Sequence, residues 1–523
     1  MAISKSLNGL PLLICITVVN SVSMAWFGYD QGVFSGVLIS KDFIKHFPQT
    51  KNANISGITS SCFSLGAFCG CLFAFTFGDK LGRRKTVLAG VTCNVVGAVL
   101  QISSFQLPQM IIGRVINGFG MGVTSSVCPV YQAEVSPFKA RGRLVALGSV
   151  CNTVAVCIST WMNYALHNGS GPFQWRFPLA FQLVFPILVL SCLPFSCESP
   201  RWLLLRDRHE EALVNLGRLR GLQDNLDDEE LVYEFKSIFQ TIQEERADRA
   251  EVSDVFRFND RQQNLKRVIL ACGTQFMQQF SGVNALGYYL PTLLEKSVGV
   301  SSTQARLLTA ANATIYLLAA LICLVIIDYV GRRILMLYGA ATIGSWYLIA
   351  AITLRQAGVH PEEKKTLGSV TTTMFFLYYF CYGTSWAKIP WVYNSEVNSL
   401  GWRSRGAAAA TATNWMGSFI VTQFTKTGVE HLHWRFYLMF SIFCYSFFPI
   451  SYCFYPETSK RTLEDMDQIF ARGKTFVFTD QELVRRQRPQ TFVDAELART
   501  QQANVETTIK GGDVVLVEQT TKV

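Results

Sequence analysis

The residues able to do chemistry in this sequence are charged and amide side chains set among apolar neighbours. Asp30 follows Gly28 and Tyr29 inside a long apolar run. A carboxylate at membrane depth costs about 2.5 to 3.5 kcal/mol on insertion scales, so it needs a proton or a partner. Gln278, Gln279 and Asn284 fall at i, i+1 and i+6 around Gly282; read as one face of one helix, they offer amide donors and acceptors to the hydroxyl groups of a ligand. Trp391 and Trp415 add apolar ring faces. Lys388 lies three residues before Trp391, too deep in its apolar run for a surface charge. It snorkels outward, pairs with an acid of the protein, or faces an anionic ligand.

The elements that must position these residues are membrane helices. The chain has 523 residues, 50% of them hydrophobic and only 16% charged, against about a quarter charged in soluble domains. Its apolar residues come in blocks of about 20, the length that crosses a bilayer. Twelve blocks are expected at 10–33, 57–78, 86–104, 110–131, 142–165, 178–196, 267–293, 304–327, 334–354, 369–395, 406–425 and 436–455. The first block continues into further apolar sequence without a small-residue cleavage site, so it reads as a span and not a leader. The 15 cysteines avoid 203–265 and the tail after Tyr455, a distribution of small buried hydrophobes and not of a disulfide framework. Gly118-x-Gly120-x-Gly122, inside a span, suits close helix packing better than phosphate binding. The polar segments hold no metal cluster, nucleotide loop or nucleophile–base set, so an enzyme is not expected.

The net charge of +10 does not point to nucleic acid, because the basic residues gather in short loops at block ends. Lys80, Arg83, Arg84 and Lys85, then Lys139, Arg141 and Arg143, then Arg332 and Arg333, then Arg403 and Arg405 all fall on the side of the termini and of the segment 198–266. The positive-inside rule makes that side cytoplasmic. Lys41, Lys45, Lys51, Lys364 and Lys365 oppose the bias, but the glycosylation sequons at Asn54 and Asn168 also lie on the opposite face. The halves repeat. Asp79-x-x-Gly82-Arg83-Arg84 returns 249 residues on as Asp328-x-x-Gly331-Arg332-Arg333, Glu134 with Arg141 returns 262 on as Glu396 with Arg403, and Glu198 returns 259 on as Glu457. A parallel duplication of six helices follows, with a site expected at the midplane between the halves. The domains expected are 1–197, a linker of helices at 198–266, 267–456, and a tail at 457–523 that is polar and largely disordered.

These motifs resemble the sugar porter family of the major facilitator superfamily, in its fungal style, over nearly the whole chain. The resemblance rests on the repeated Gly-Arg-Arg loops, Pro129-x-Tyr131-x-x-Glu134-x-x-Pro137-x-x-x-Arg141-Gly142, Glu198-Ser199-Pro200-Arg201-Trp202, Gln278-Gln279-x-x-Gly282-x-Asn284-x-x-x-Tyr288-Tyr289, Pro390-Trp391, Asn414-Trp415 and Pro456-Glu457-Thr458. It implies an all-α membrane protein of twelve spans in two six-helix halves that carries a monosaccharide across the plasma membrane, multi-pass, both termini cytoplasmic, as a monomer without a cofactor. It also implies that Arg114 is the partner of Asp30, and that the pair cycles between an ion pair and a protonated acid to couple sugar movement to a proton. By the same resemblance Gln278, Gln279, Asn284, Tyr288, Trp391, Asn414 and Trp415 are sugar ligands. The loop arginines Arg83, Arg84, Arg141, Arg201, Arg332, Arg333 and Arg403, with Asp79, Asp328, Glu134, Glu198, Glu396 and Glu457, are expected to form ion pairs between the halves that latch the cytoplasmic side. Two departures stand out. Ser149 replaces a fifth-helix Gln, leaving its hydroxyl contact to Asn152 or unmade, and Lys388 replaces a proline. A cation there suggests a sugar acid such as D-galacturonate, with a neutral hexose or pentose as the alternative.

Overall fold

The computed structural model describes residues 7–137, 140–169, 171–247, 263–399, 402–461, 463–471 and 476–484, and among these every regular element is helical. The first half comprises α1 (Gly9–Val37), α2 (Ala53–Leu81), α3 (Arg83–Ile102), α4 (Leu107–Val135), α5 (Arg141–Ala165) and a sixth span made of α6 (Phe173–Phe181) and α7 (Val184–Cys192). A polar connection follows, with α8 (Pro200–Leu205), α9 (His209–Arg220) and α10 (Glu229–Ala247). The second half contains α11 (Asn264–Phe280) with α12 (Val283–Leu293), α13 (Ser302–Val330), α14 (Arg332–Val359), α15 (Lys364–Thr384) with α16 (Ile389–Val397), α17 (Arg403–Leu432) and α18 (Trp434–Phe454). Then comes α19 (Leu463–Ala471).

The twelve expected spans are present, two six-helix halves of the major facilitator arrangement. Eight are long and apolar enough to cross a bilayer on composition alone. The other four are α4, α11–α12, α15–α16 and α17, and they carry Arg114, the amides, Lys388 and Asn414. The sixth span begins before the expected residue 178, because Arg176 interrupts its apolar pattern; the arginine is accommodated by donating to the Ser104 carbonyl at 3.2 Å. Large apolar side chains such as Leu72, Val325 and Ile442 are exposed around the bundle, where lipid covers them. Between α2 and α4 the backbones approach so closely that a Cβ on Gly118 or Gly122 would strike the carbonyls of Phe63 and Ala67. All 15 cysteines are free thiols.

Besides the divided sixth span, two spans of the second half are broken, and both of these breaks have local causes. Gly282 takes φ +85° between α11 and α12, a conformation open to glycine without a Cβ penalty. The α15–α16 break occupies 385–388 and restarts at Ile389 with Pro390 in the first turn, where the missing N–H of proline costs nothing. The described part of the segment after Pro456 is packed against the second half. Asp467 of α19 pairs with Arg267 of α11 at 2.7 Å, and Phe476 and Phe478 pack on Phe454 and Tyr452. The part of the tail after 484 lies outside the described residues.

Candidate functional site

The first half holds its charge pair at the crossing of α1 and α4. Asp30 and Arg114 are both fully buried, and Nη2 of the arginine stands 3.7 Å from Oδ2 of the acid. That distance is an ion pair without a short hydrogen bond. Instead Nη2 donates to the Ser60 carbonyl at 3.3 Å, and the guanidinium lies 3.7 Å above the Phe34 ring and 5.2 Å from that of Phe63. The other oxygen of Asp30 accepts from Asn117 Nδ2 at 3.2 Å, an amide that also points at Gln182 Oε1 at 3.4 Å. Asp30 Oδ2, Arg114 Nε and Nη1, Asn117 Oδ1 and Gln182 Nε2 are buried with no protein hydrogen-bond partner. Orphaned polar atoms gathered around one acid set this crossing apart from an ordinary packed core. Asn117 and Gln182 escape a sequence reading, because a lone amide in a span looks like packing.

In the second half the amides separate into two groups. The break at Gly282 turns α12 away from α11, so Gln278, Gln279 and Asn284 do not share one helical face as expected. Asn414 of α17 donates to Gln278 Oε1 at 2.8 Å and Gln275 Oε1 at 2.6 Å, while Gln278 Nε2 donates to the Trp386 carbonyl at 2.9 Å. Gln278 thereby satisfies a carbonyl that the break in the tenth span leaves free. The second group joins Asn284 Nδ2 to Gln279 Oε1 at 2.5 Å and to Ser418 Oγ at 2.7 Å. Ser418 continues across to Ser64 of the first half at 2.8 Å. Gln275, Ser418 and Ser64 are additions that only the fold reveals. Tyr288 is buried with its hydroxyl unpartnered.

The tryptophans differ from each other. Trp415 is buried, its ring 5.0 Å from Phe27 and 6.0 Å from Phe63, so its face is taken up by aromatic packing between the halves. Trp391 is half-buried. Lys388 does not snorkel and meets no acid among the described residues; only 7% of it is exposed, and Nζ donates to Ser149 O at 2.9 Å, Ser149 Oγ at 2.6 Å and Thr153 Oγ1 at 3.4 Å. Ser149 is therefore committed to Lys388 and not free for substrate. Asn152 turns toward α1, donating to the Met24 carbonyl at 3.2 Å.

The loop motifs build twin clusters, one under each half. Arg83 holds Glu134 in a two-point contact at 2.9 and 3.0 Å, and Arg332 holds Glu396 at 2.9 and 3.2 Å. Glu198 Oε1 accepts from the Arg83 amide at 2.9 Å, and Glu457 Oε1 from the Arg332 amide at 3.0 Å. Arg84 reaches the carbonyls of Leu193 and Pro194, as Arg333 reaches those of Tyr455 and Tyr452. Gly82 and Gly331 adopt φ +89° and +98°, and a Cβ on either would press on the carboxylate of Glu198 or Glu457. Burial pushes the Glu198 carboxyl above its ordinary value, opposed by the backbone N–H groups of Ser199, Arg83 and Arg84. These pairs lie within halves. The start of α3 adjoins the end of α4, and the start of α14 the end of α16, so each arginine meets the acid of its own half first. Asp328 pairs with Arg332 at 2.9 Å but is exposed. Arg141 is exposed, and the field of Arg201 reaches both it and Glu134. The side chains of Asp79 and Arg403 lie outside the described residues.

Contacts between the halves concentrate on the face opposite the linker. Ser61 donates to Gln423 at 2.6 Å, Lys426 to the Thr50 carbonyl at 3.0 Å, and Arg306 to the Gly36 carbonyl at 3.2 Å. Asn54 is exposed there in the first turn of α2 and accepts from Thr427 at 2.8 Å, while Asn168 is exposed in the turn after α5.

Comparison with known proteins places this geometry. A family profile described as "Sugar (and other) transporter" matches residues 15–470. The chain is 40% identical to the MFS-type transporter oryC of Aspergillus oryzae, over 94% of this chain and 91% of that one. It is 34% identical to the sugar transporter STL1 of Saccharomyces cerevisiae, over 89% and 83%, and 31% identical to a probable quinate permease of Aspergillus niger, over 87% of each. The xylose transporter XylE from E. coli, in a partially occluded inward-open conformation, superposes with a TM-score of 0.71 over 86% of this chain and 99% of that one. At 21% identity, that likeness is one of fold.

Proposed function

We propose, because the chain belongs to the sugar (and other) transporter family, that this multi-pass membrane transporter takes up a monosaccharide together with a proton, and that the substrate is a hexuronic acid such as D-galacturonate. The observation that carries the proton is the buried Asp30–Arg114 pair, 3.7 Å apart with unpartnered atoms on both sides. An acid so placed is stable either ionised beside the arginine or protonated and neutral, and alternation between the two ties its proton to the conformational cycle. The amides of Gln278, Gln279, Asn284 and Asn414 supply hydroxyl recognition from the second half. Lys388, a buried cation held by neutral oxygens, supplies attraction for a carboxylate. The quinate permease among the relatives is named for a hydroxylated ring acid, which favours the same reading.

The energetics fit. Moving a monoanion against an inside-negative potential costs about 2.3 kcal/mol per 100 mV, and one co-transported proton cancels the charge moved. Alternating access would open the site in turn to each face, with the protein working as a monomer in the plasma membrane, both termini cytoplasmic, and Asn54 and Asn168 available for glycosylation outside. A neutral hexose or pentose symporter is the second reading, favoured by the amide groups, which bind hydroxyls whether or not the ring bears a carboxylate.

Uptake of labelled galacturonate by hexose-transport-deficient yeast expressing the chain separates them. Uptake that rises as external pH falls and ignores excess glucose is expected. Absence of galacturonate uptake with the protein at the cell surface sinks the sugar-acid reading and leaves the neutral one.

A further inference from the structure

Lys388 and Ser149 are the two places where this chain departs from the pattern it resembles, and in the folded protein they bind each other. They lie 239 residues apart in sequence and in different halves. Three donors on the Lys388 ammonium end on three oxygens of α5, the Ser149 carbonyl, the Ser149 hydroxyl and the Thr153 hydroxyl. No carboxylate pairs with Lys388 among the described residues. A buried ammonium held only by neutral acceptors is satisfied geometrically but not electrostatically, because no opposite charge offsets the cost of taking it out of water.

The α5 side of this contact is self-sufficient. Thr153 Oγ1 also donates to the Ser149 carbonyl at 3.2 Å, so when the lysine departs the threonine keeps an acceptor and the carbonyl keeps a donor. The cost of separation falls on Lys388, which must find another acceptor. We infer that Ser149 and Thr153 are positioning residues which hold the Lys388 ammonium across the interface of the halves until a substrate carboxylate takes it. Anion binding and release of this inter-half contact are then one exchange. The inference rests on the sugar-acid reading proposed above. It adds that the ligand competes with α5 for the lysine.

Competition makes an expectation opposite to that of a simple structural role: deleting the hydroxyls should tighten binding. The full chain in lipid nanodiscs is titrated with D-galacturonate as wild type, as the double variant Ser149→Ala/Thr153→Val, and as the conservative Ser149→Thr. The double variant is expected to bind about threefold to tenfold tighter, the span of the net contribution of one ordinary intramolecular hydrogen bond, with Ser149→Thr near wild type. Unchanged or weaker binding in the double variant overturns the exchange. If the double variant does not fold, Thr153→Val alone keeps both Ser149 contacts and is expected to tighten binding about twofold, within the weak end of the same range; no tightening there overturns it equally. Amide hydrogen exchange of residues 149–157 without ligand reads the clasp apart from the substrate. It should be faster in the variants than in the wild type, and equal exchange overturns the clasp. Failure of the wild type to bind galacturonate, with exchange still faster in the variants, removes the substrate reading and leaves the contact between halves standing.

Discussion

The two halves of this molecule agree at their linker-face ends and disagree inside. At the ends the central contacts are twinned. Arg83 and Arg332 clamp Glu134 and Glu396, Glu198 and Glu457 receive the helix-starting amides, and Gly82 and Gly331 turn with the same sign of φ. Inside, the first half keeps an acid and an arginine, whereas the second keeps amides and a lysine whose partners lie in the other half. Duplication supplies one scaffold twice, and on the reading proposed above the parts that diverged afterwards are the parts that handle cargo. The scaffold is a geometric requirement in both halves, since a buried arginine deprived of its carboxylate is costly wherever it occurs. In that reading the interior is free to specialise because its polar groups answer to a ligand and to a proton.

The largest break in this comparison is expected at Asp30. Asp30→Asn keeps size and hydrogen bonding but cannot give up a proton, so in the proposed cycle uphill accumulation is lost while exchange of substrate down its gradient persists. Wild-type uptake should rise as external pH falls, because the proton is a co-substrate, and the variant's uptake should be flat with pH. Measuring both in the same yeast background decides it; a variant that still accumulates against a gradient places the coupling proton elsewhere.

The twin clamps give the next largest effect, and here the halves should behave alike. Arg83→Ala and Arg332→Ala each strand a mostly buried glutamate, at about 3 kcal/mol, and should lower the thermal midpoint in detergent by similar amounts. A large loss for one arginine and little for the other would show that the resemblance of the clusters is not an energetic one. Gly82→Ala and Gly331→Ala follow, at about 1 to 2 kcal/mol for a Cβ at positive φ. Contact with the Glu198 or Glu457 carboxylate adds to this. The same thermal measurement should again find them close to one another.

How much of this could be read from the sequence follows the same division. The repeated motifs and the twelve spans are legible because they depend on composition or on a spacing that recurs, whereas the Asp30–Arg114 pairing is legible only through the family resemblance. What stayed hidden depends on bends and on contacts between halves. On a straight helix Gln279 and Asn284, five residues apart, would point about 140° away from each other, and the turn at Gly282 creates their contact. Periodicity cannot reveal that Arg83 meets Glu134 of its own half before any acid of the other. The spans that escape a hydropathy scan, α4, α11–α12, α15–α16 and α17, carry Arg114, the amides and Asn414 or flank Lys388, and two of them escape it partly because a break leaves their helices short. Lys388 and Ser149 each stand out as a departure, but only the crossing of α5 with the broken tenth span makes them partners.

The smallest expected effect separates the interior of the two halves. Asn414→Ala removes a donor shared by Gln275 and Gln278, and Gln278 retains its bonds to the carbonyls of the broken span. The backbone there should hold. If Asn414 orients the Gln278 amide for substrate, the loss is one neutral hydrogen bond, about 1 kcal/mol, so KM should rise roughly fivefold with Vmax little changed. The pH dependence of uptake should keep its shape, because Asp30 and Arg114 are untouched. Asn117→Ala should do the reverse. It removes the amide that donates to Asp30, so it should move the pH profile and leave KM near wild type. If both variants move KM and the pH profile together, proton and substrate are handled by one coupled network, and the division of labour between the halves drawn from their interiors does not hold.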